Sequence, residues 1–266
     1  MLIDTHCHIF FPEYDADRAD VIARAQDVGV GKMIVVGTDI SSSKKAIALA
    51  EAYPFIFATV GLHPHEAKAM DDALLQELEN LSAHPKVVAI GETGLDFYYN
   101  RSEGDVQQQA FLAQIALAKK RRLPLVIHIR DAWDAAFDIL EGQRAPRKEN
   151  KAYFKEVGSV LHCFTGDKQI AARATAMVLY VSFSGIVTFA KTDALKEAAT
   201  TVDPHFLLIE TDCPFLAPQG FRGKRNEPSH IATTAKEVAA LRNISMEDLA
   251  EITTANANRL FGLPPT

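Results

Sequence analysis

Apolar and polar residues alternate along this chain on two periods. Short apolar runs recur at Leu2–His8, Lys32–Gly37, Phe55–Gly61, Val87–Glu92, Leu125–Ile129, Ser159–His162, Leu179–Phe183 and Phe206–Thr211, and they read as eight strands. Between them lie stretches of helical character at Ala16–Val28, Ser43–Tyr53, Asp71–Ala83, Asp105–Arg121, Ala132–Glu141, Asp167–Met177 and Thr192–Thr201. Two more, Ser229–Arg242 and Ser245–Leu260, follow the last strand. Local signals mark some ends. Ser245 precedes an acidic first turn, an N-cap pattern. Gly29 and Gly31 punctuate the end of the first helix. Pro124 stands just before the fifth strand, where the ladder has no need of the donor it lacks.

Strands that alternate with helices favour a parallel sheet, because parallel neighbours need crossover connections. A closed (β/α)8 barrel takes about 250 residues, and the 266 residues here fit a single barrel domain spanning 1–266. The competing architecture, an open doubly wound sheet, wants a glycine-rich turn after its first strand. The turn here, His6-Cys7-His8-Ile9-Phe10-Phe11-Pro12, has no glycine.

Composition narrows the class. Hydrophobic residues make up 48% and charged residues 23%, a globular balance that excludes a disordered chain, a collagen repeat or a coiled-coil rod. No apolar run reaches the roughly 18 residues of a membrane span, and the N-terminus lacks the charged and apolar regions of a signal peptide. The three cysteines, Cys7, Cys163 and Cys213, form no disulfide framework and suit a reducing compartment, so a cytoplasmic location is expected. The net charge of −6 argues against nucleic-acid binding through bulk charge; a polyanion would need metal ions or a local basic loop.

Chemistry-bearing residues gather at the C-terminal ends of the strands, where barrels keep their active sites. The first strand ends in His6-Cys7-His8, the fourth in Glu92, the fifth in His128, the sixth in His162 and the eighth in Asp212. Residues two apart on a strand point the same way. His6 and His8 can therefore both face the barrel axis, while Cys7, Cys163 and Cys213 should each point away from a neighbouring candidate ligand into the core. Four histidines and two carboxylates exceed the three protein ligands of one catalytic zinc. They suit two divalent ions bridged by one carboxylate, with Zn²⁺, Mn²⁺ or Mg²⁺ compatible with nitrogen and oxygen donors. His84 and His205 fall at the opposite end of the strands and read as structural.

The chain resembles the TatD family of metal-dependent deoxyribonucleases, within the amidohydrolase-like barrel superfamily, over essentially its whole length. The resemblance is carried by Ile3-Asp4-Thr5-His6-Cys7-His8, Gly61-Leu62-His63-Pro64-His65, Gly91-Glu92-Thr93-Gly94-Leu95-Asp96 and Leu125-Val126-Ile127-His128. It continues through Leu161-His162-Cys163-Phe164-Thr165-Gly166, Glu210-Thr211-Asp212-Cys213-Pro214 and Arg222-Gly223-Lys224-Arg225-Asn226-Glu227-Pro228. It implies that His6, His8, Glu92, His128, His162 and Asp212 are metal ligands, with Glu92 as the bridge. It also implies 3′–5′ exonuclease or more general DNase activity and a cytoplasmic location; some relatives act on D-aminoacyl-tRNA. The departure from the family is the basic segment 143–151, which looks inserted between the fifth helix and the sixth strand.

On this reading Asp212 orients or deprotonates the attacking water, and Glu92 also counts among the catalytic groups. His65 contacts the phosphate or the leaving oxygen as donor or acid, and His63 is either a substrate contact or a structural histidine. Arg222, Lys224 and Arg225, on the loop after the eighth strand, are the expected phosphate-binding cations, with Arg222 and Arg225 as direct contacts. The run Lys119-Lys120-Arg121-Arg122 closes a helix at the barrel's far end and reads as structural. Aromatic residues in the upper loops, Phe10, Phe11, Tyr14, Phe97, Tyr98, Tyr99 and Phe221, either stack bases or cap the core. The expected function is hydrolysis of DNA phosphodiesters from a 3′ end. An ester or amide hydrolase, such as a D-aminoacyl-tRNA deacylase, is the alternative; a non-catalytic scaffold is disfavoured by the intact ligand set.

Overall fold

The computed structural model describes residues 1–142 and 147–264. Eight parallel strands follow one another in sequence order: β1 (Leu2–Cys7), β2 (Val30–Val36), β3 (Ile56–Val60), β4 (Val87–Asp96), β5 (Leu125–Arg130), β6 (Ser159–Leu161), β7 (Leu179–Phe183) and β8 (Leu207–Ile209). The helices are α1 (Arg18–Asp27), α2 (Ile40–Ala52), α3 (Asp72–Leu81), α4 (Gly104–Arg121), α5 (Trp133–Leu140), α6 (Arg147–Val157), α7 (Lys168–Ala176), α8 (Asp193–Thr201), α9 (Ile231–Arg242) and α10 (Met246–Phe261). β1 meets the chain just past β8 through a parallel bridge between Cys7 and Cys213. At that seam His8 N–H donates to the Cys213 carbonyl (2.8 Å) and Asp212 N–H to the His6 carbonyl (2.9 Å), closing the (β/α)8 barrel.

Side-chain alternation along the strands sorts the core into two layers. Ile34 and Val36 of β2 join an inner cluster that also takes residues from the other strands, such as Phe57 of β3, Val126 of β5 and Leu208 of β8. Met33 and Val35, one step out of phase, pack in the larger cluster beneath the helices. Leu260 and Phe261, at the end of α10, belong to the inner cluster and plug one end of the barrel. The other end is left for polar side chains. Among the described residues, no helix is long and apolar enough to cross a membrane.

The helices start where short polar side chains can hold free N–H groups. Asp39 and Ser245 form reciprocal capping boxes on α2 and α10, and Asp71 and Asp167 cap α3 and α7. Gly29, at φ +89°, follows α1, but Gly31 lies inside β2 rather than in the cap. The run at the end of α4 is structural: Lys120 pairs with Glu79, Arg122 with Glu156, and Arg121 donates to the Ser82 carbonyl.

The segment after α5 holds a helix that the charge pattern hides. Of the basic run 143–151, residues 143–146 lie outside the described residues, and the rest opens α6. Tyr153 and Phe154 are buried, and the Tyr153 hydroxyl donates to the Leu123 carbonyl. β4 runs four residues past Glu92, whereas β6 and β8 stop before His162 and Asp212.

Candidate metal centre

Two of the strands, β1 and β4, carry an extra residue at their candidate ligands His6 and Glu92. On β1, Asp4 pairs with Met33 and Cys7 with Val35, so three steps face two. On β4, Ile90 pairs with Leu125 and Thr93 with Ile127, again three against two. Such bulges re-aim the side chains that follow them. Glycine is required on β4: Gly94 has φ +138°, and a Cβ there would stand 2.0 Å from the His128 carbonyl oxygen.

The two oxygens of buried Glu92 face two groups of donors. Oε2 lies 3.4 Å from His6 Nε2 and 3.8 Å from His8 Nε2. Asp212 Oδ1 completes that group, 3.6 Å and 3.5 Å from the same two nitrogens. Oε1 lies 2.9 Å from His162 Nε2, 3.1 Å from His128 Nδ1 and 3.3 Å from His63 Nε2. Three sets, His6–His8–Asp212, His6–Glu92–His162 and His63–Glu92–His128, each bring their donor atoms within 4.8 Å of one another. All six ligand candidates thus converge.

The outer nitrogens of the imidazoles indicate which inner ones offer a lone pair. His8 Nδ1–H donates to the Val36 carbonyl at 2.9 Å, leaving Nε2 as an acceptor. His128 Nε2 meets Asp96 Oδ2 at 3.2 Å, and His162 Nδ1 approaches Glu210 at 3.4 Å. His6 Nε2 and His8 Nε2 face each other at 3.1 Å, while buried His6 Nδ1 has no partner. Facing lone pairs beside two carboxylates, with no thiolate, are the donor set of a divalent cation. His63 differs. Its Nδ1 accepts from His65 N–H at 3.1 Å, so its own proton sits on Nε2 and points at Glu92. A neutral His63 is a donor there, not a ligand.

Charges at the centre follow these contacts. Burial would raise Glu92, but His162, His63 and the imidazole hydrogen bonds hold it well below the carboxylate range. Burial likewise opposes ionised Asp212, and the neighbouring imidazoles of His8, His6 and His162 outweigh it and hold it below its ordinary value. Burial pushes His63 down to about 4, so it is neutral at pH 7.

A cavity of about 900 Å³ opens above this cluster, lined by His8, His63, His65, Glu92, His128, His162 and Asp212 among others. His65 Nε2 bonds Asp96 Oδ2 at 2.9 Å, the oxygen that also holds His128. Phe11 and Phe215 stand on one side of the mouth and Tyr99, Arg101 and Arg130 also line it. The structure does not bring Arg222 and Arg225 there. Arg225 makes two bonds to Asp17 (2.9 and 2.7 Å) and covers the Tyr14 ring, while Arg222 lies over Phe189. Asp17 has claimed Arg225, and Arg222, stacked on Phe189, is not among the residues lining the cavity. Tyr14 and Phe10 are buried, and Phe221 stacks on His230.

Cys7 and Cys213 lie in the core as expected, but Cys163 lines the cavity. Strand parity ends before it: Cys163 has φ +43° and Asp212 φ +55°, left-handed residues just past their strands. Three residues of the site escaped the sequence reading as functional groups, namely Asp96, Glu210 and Arg130. The two-residue rule that pairs His6 with His8 also pairs His128 with Arg130 inside β5, so a signal was present there, whereas Glu210 lies past the end of β8, where the rule no longer holds.

Comparison with known proteins finds a family that matches nearly the whole chain. The family described as TatD related DNase matches residues 3–262. An uncharacterized metal-dependent hydrolase of Bacillus subtilis, YabD, is 44% identical, covering 98% of this chain and 99% of its own. The 3′-5′ ssDNA/RNA exonuclease TatD of Escherichia coli is 34% identical over 98% of this chain and 99% of its own. The crystal structure of the E. coli TatD homolog YjjV superposes with a TM-score of 0.90 at 30% identity, covering 99% of this chain and 98% of that one.

Proposed function

The chain belongs to the TatD-related DNase family of metal-dependent hydrolases, and from that premise we propose that it is a nuclease that removes nucleotides from the 3′ end of single-stranded DNA at a two-metal centre. The observation that carries this reading is Glu92, whose two oxygens face separate groups of donors. His6, His8 and Asp212 would hold one ion and His128 and His162 the other, with Glu92 facing both groups. Divalent ions held there supply Lewis acidity and an ionised water near neutral pH. Asp212, a buried carboxylate beside the histidines, would orient an attacking water and accept its proton. His63 would share its Nε2–H between Glu92 and a phosphate oxygen, and His65, oriented by Asp96, would give a proton to the leaving oxygen. The Val36 carbonyl fixes the ring of His8, and Glu210, held by Cys163 N–H, stands 3.4 Å from His162 Nδ1.

The test is a metal-restored assay. Protein stripped with a chelator receives Mg²⁺, Mn²⁺ or Zn²⁺ and a 5′-labelled single-stranded DNA. The expected result is a ladder that shortens stepwise from the 3′ end only when metal is present. No cleavage by a protein that has rebound two ions would overturn the nuclease reading.

A further inference from the structure

The arginines of the upper face differ in what holds them, and Arg222 lies on Phe189 away from the cavity. Arg18, Arg24 and Arg225 each hold a carboxylate. Arg130 and Arg101 do not: among the described residues, neither guanidinium has a carboxylate within ion-pair distance, although both line the cavity. Arg242 and Arg259 also lack a carboxylate but brace the fold through backbone carbonyls, whereas among the described residues the Arg130 and Arg101 guanidinium groups donate no such bond.

Arg130 is also well positioned. It ends β5, where it pairs with Asp96 of β4, and its carbonyl accepts from Phe97 N–H at 3.0 Å. It lies two residues beyond His128, so it shares that residue's side of the sheet, roughly 6.6 Å further out at about 3.3 Å per residue. Its guanidinium covers the rings of Tyr98 at 4.1 Å and Tyr99 at 4.8 Å, and Arg101 stands 5.7 Å from the Tyr99 ring. Stacking holds a guanidinium by its face and leaves the N–H edge free. A phosphate is the anion which that edge grips with two parallel bonds.

We propose that Arg130, backed by Tyr98 and Tyr99 and joined by Arg101, binds the phosphodiester adjacent to the one being cleaved. The site then holds a polynucleotide by two successive phosphates, one at the metal centre and one at β5. This rests on the nuclease reading above and adds to it a preference for substrates with at least two phosphodiesters.

The experiment compares a dinucleotide, which has one phosphodiester, with a trinucleotide, which has two, on the metal-loaded enzyme and its Arg130→Ala and Arg130→Lys variants. The wild type should favour the trinucleotide by about tenfold in kcat/KM, the worth of one charge-assisted contact. Arg130→Ala should bring that ratio close to one, through KM rather than kcat. It should also flatten the salt dependence of trinucleotide binding by about 0.7 in log–log slope, one phosphate contact on a single strand. Arg130→Lys, with the charge but not the fork, should restore the slope and only part of the ratio. A wild type that cleaves both substrates equally well, or an Arg130→Ala that keeps the full ratio and slope, overturns the subsite and leaves the nuclease reading intact. Cleavage of neither substrate with any metal overturns both.

Discussion

Two largely buried carboxylates at the top of the barrel have opposite kinds of partner. Glu92 is ringed by the imidazoles of His6, His8, His63, His128 and His162. Glu227 accepts from Arg24 Nε at 2.9 Å, from the same guanidinium's NH2 at 2.6 Å and from Ser229 Oγ at 2.6 Å. A guanidinium cannot give up its proton, so Glu227 is neutralised for good. Imidazoles can lose theirs and turn a lone pair inward, so the charge of Glu92 stays available to a cation. Nearby Asn226 donates to the carbonyls of Thr211 and Phe215, which ties the Glu227 loop to the chain around Asp212. The difference teaches that burial alone does not mark a functional acid. The protons its partners can shed separate a brace from a site.

The contrast breaks most sharply at Glu92. Glu92→Gln keeps the shape and removes the charge. Hydrolysis should fall by well over ~100-fold, beyond the 10–100-fold typical when a residue that only orients a ligand is lost. Metal content, counted by plasma emission, should drop with it; full activity with two ions bound would remove the bridge. Asp96→Asn should weaken metal binding by about 10–100-fold, read by calorimetric titration with Mn²⁺, because the outer nitrogen of His128 loses its carboxylate. Unchanged affinity would make Asp96 a partner of His65 alone. Chelation should lower the melting temperature by about 5 °C or more, since metal at ~100 times its Kd adds about 2.7 kcal/mol and larger domains shift by about 2–4 °C per kcal/mol. At the brace the pattern should invert. Glu227→Gln should cost about 1 kcal/mol in urea denaturation, kept small by the exposure of Arg24, while metal content stays at the wild-type level. Loss of metal in that variant would merge the two regions into one.

How far the sequence anticipates this arrangement depends on what each residue needs. The eight strands are legible because the period-two pattern is the packing rule itself: Ile34 and Val36 face in, Met33 and Val35 face out. The ligand candidates are legible because His6, Glu92, His128, His162 and Asp212 share one end of the barrel. Side-chain destinations are less so. Arg225 and Arg130 look alike in sequence, and only the fold brings Asp17 to the first and Tyr98 to the second. Helix α6 was masked by its charges, although Tyr153 and Phe154 anchor it. Cys163 was misjudged because strand parity fails at a left-handed residue, and single residues of that kind past a strand end carry no periodic signal.

The smallest expected effect tests the brace by acid. The Arg24 hydrogen bonds come first among the causes that hold Glu227 below its ordinary 4.5, ahead of the opposing cost of burial. A carboxyl whose folded pKa is depressed contributes stability above its unfolded pKa and loses that contribution as pH falls through the folded value. Wild type and Glu227→Gln should therefore differ by their full margin at pH 6–7. The margin should shrink progressively below about pH 4.5, and the two urea midpoints should approach each other once the carboxyl is protonated. The comparison is made on chelated protein, so that acid release of metal from the imidazoles does not add its own slope. A margin that stays constant down to pH 3 would mean that Glu227 acts by shape and hydrogen bonding rather than by charge. The distinction between a carboxylate fixed by arginine and one kept open by histidine would then rest on Glu92 alone.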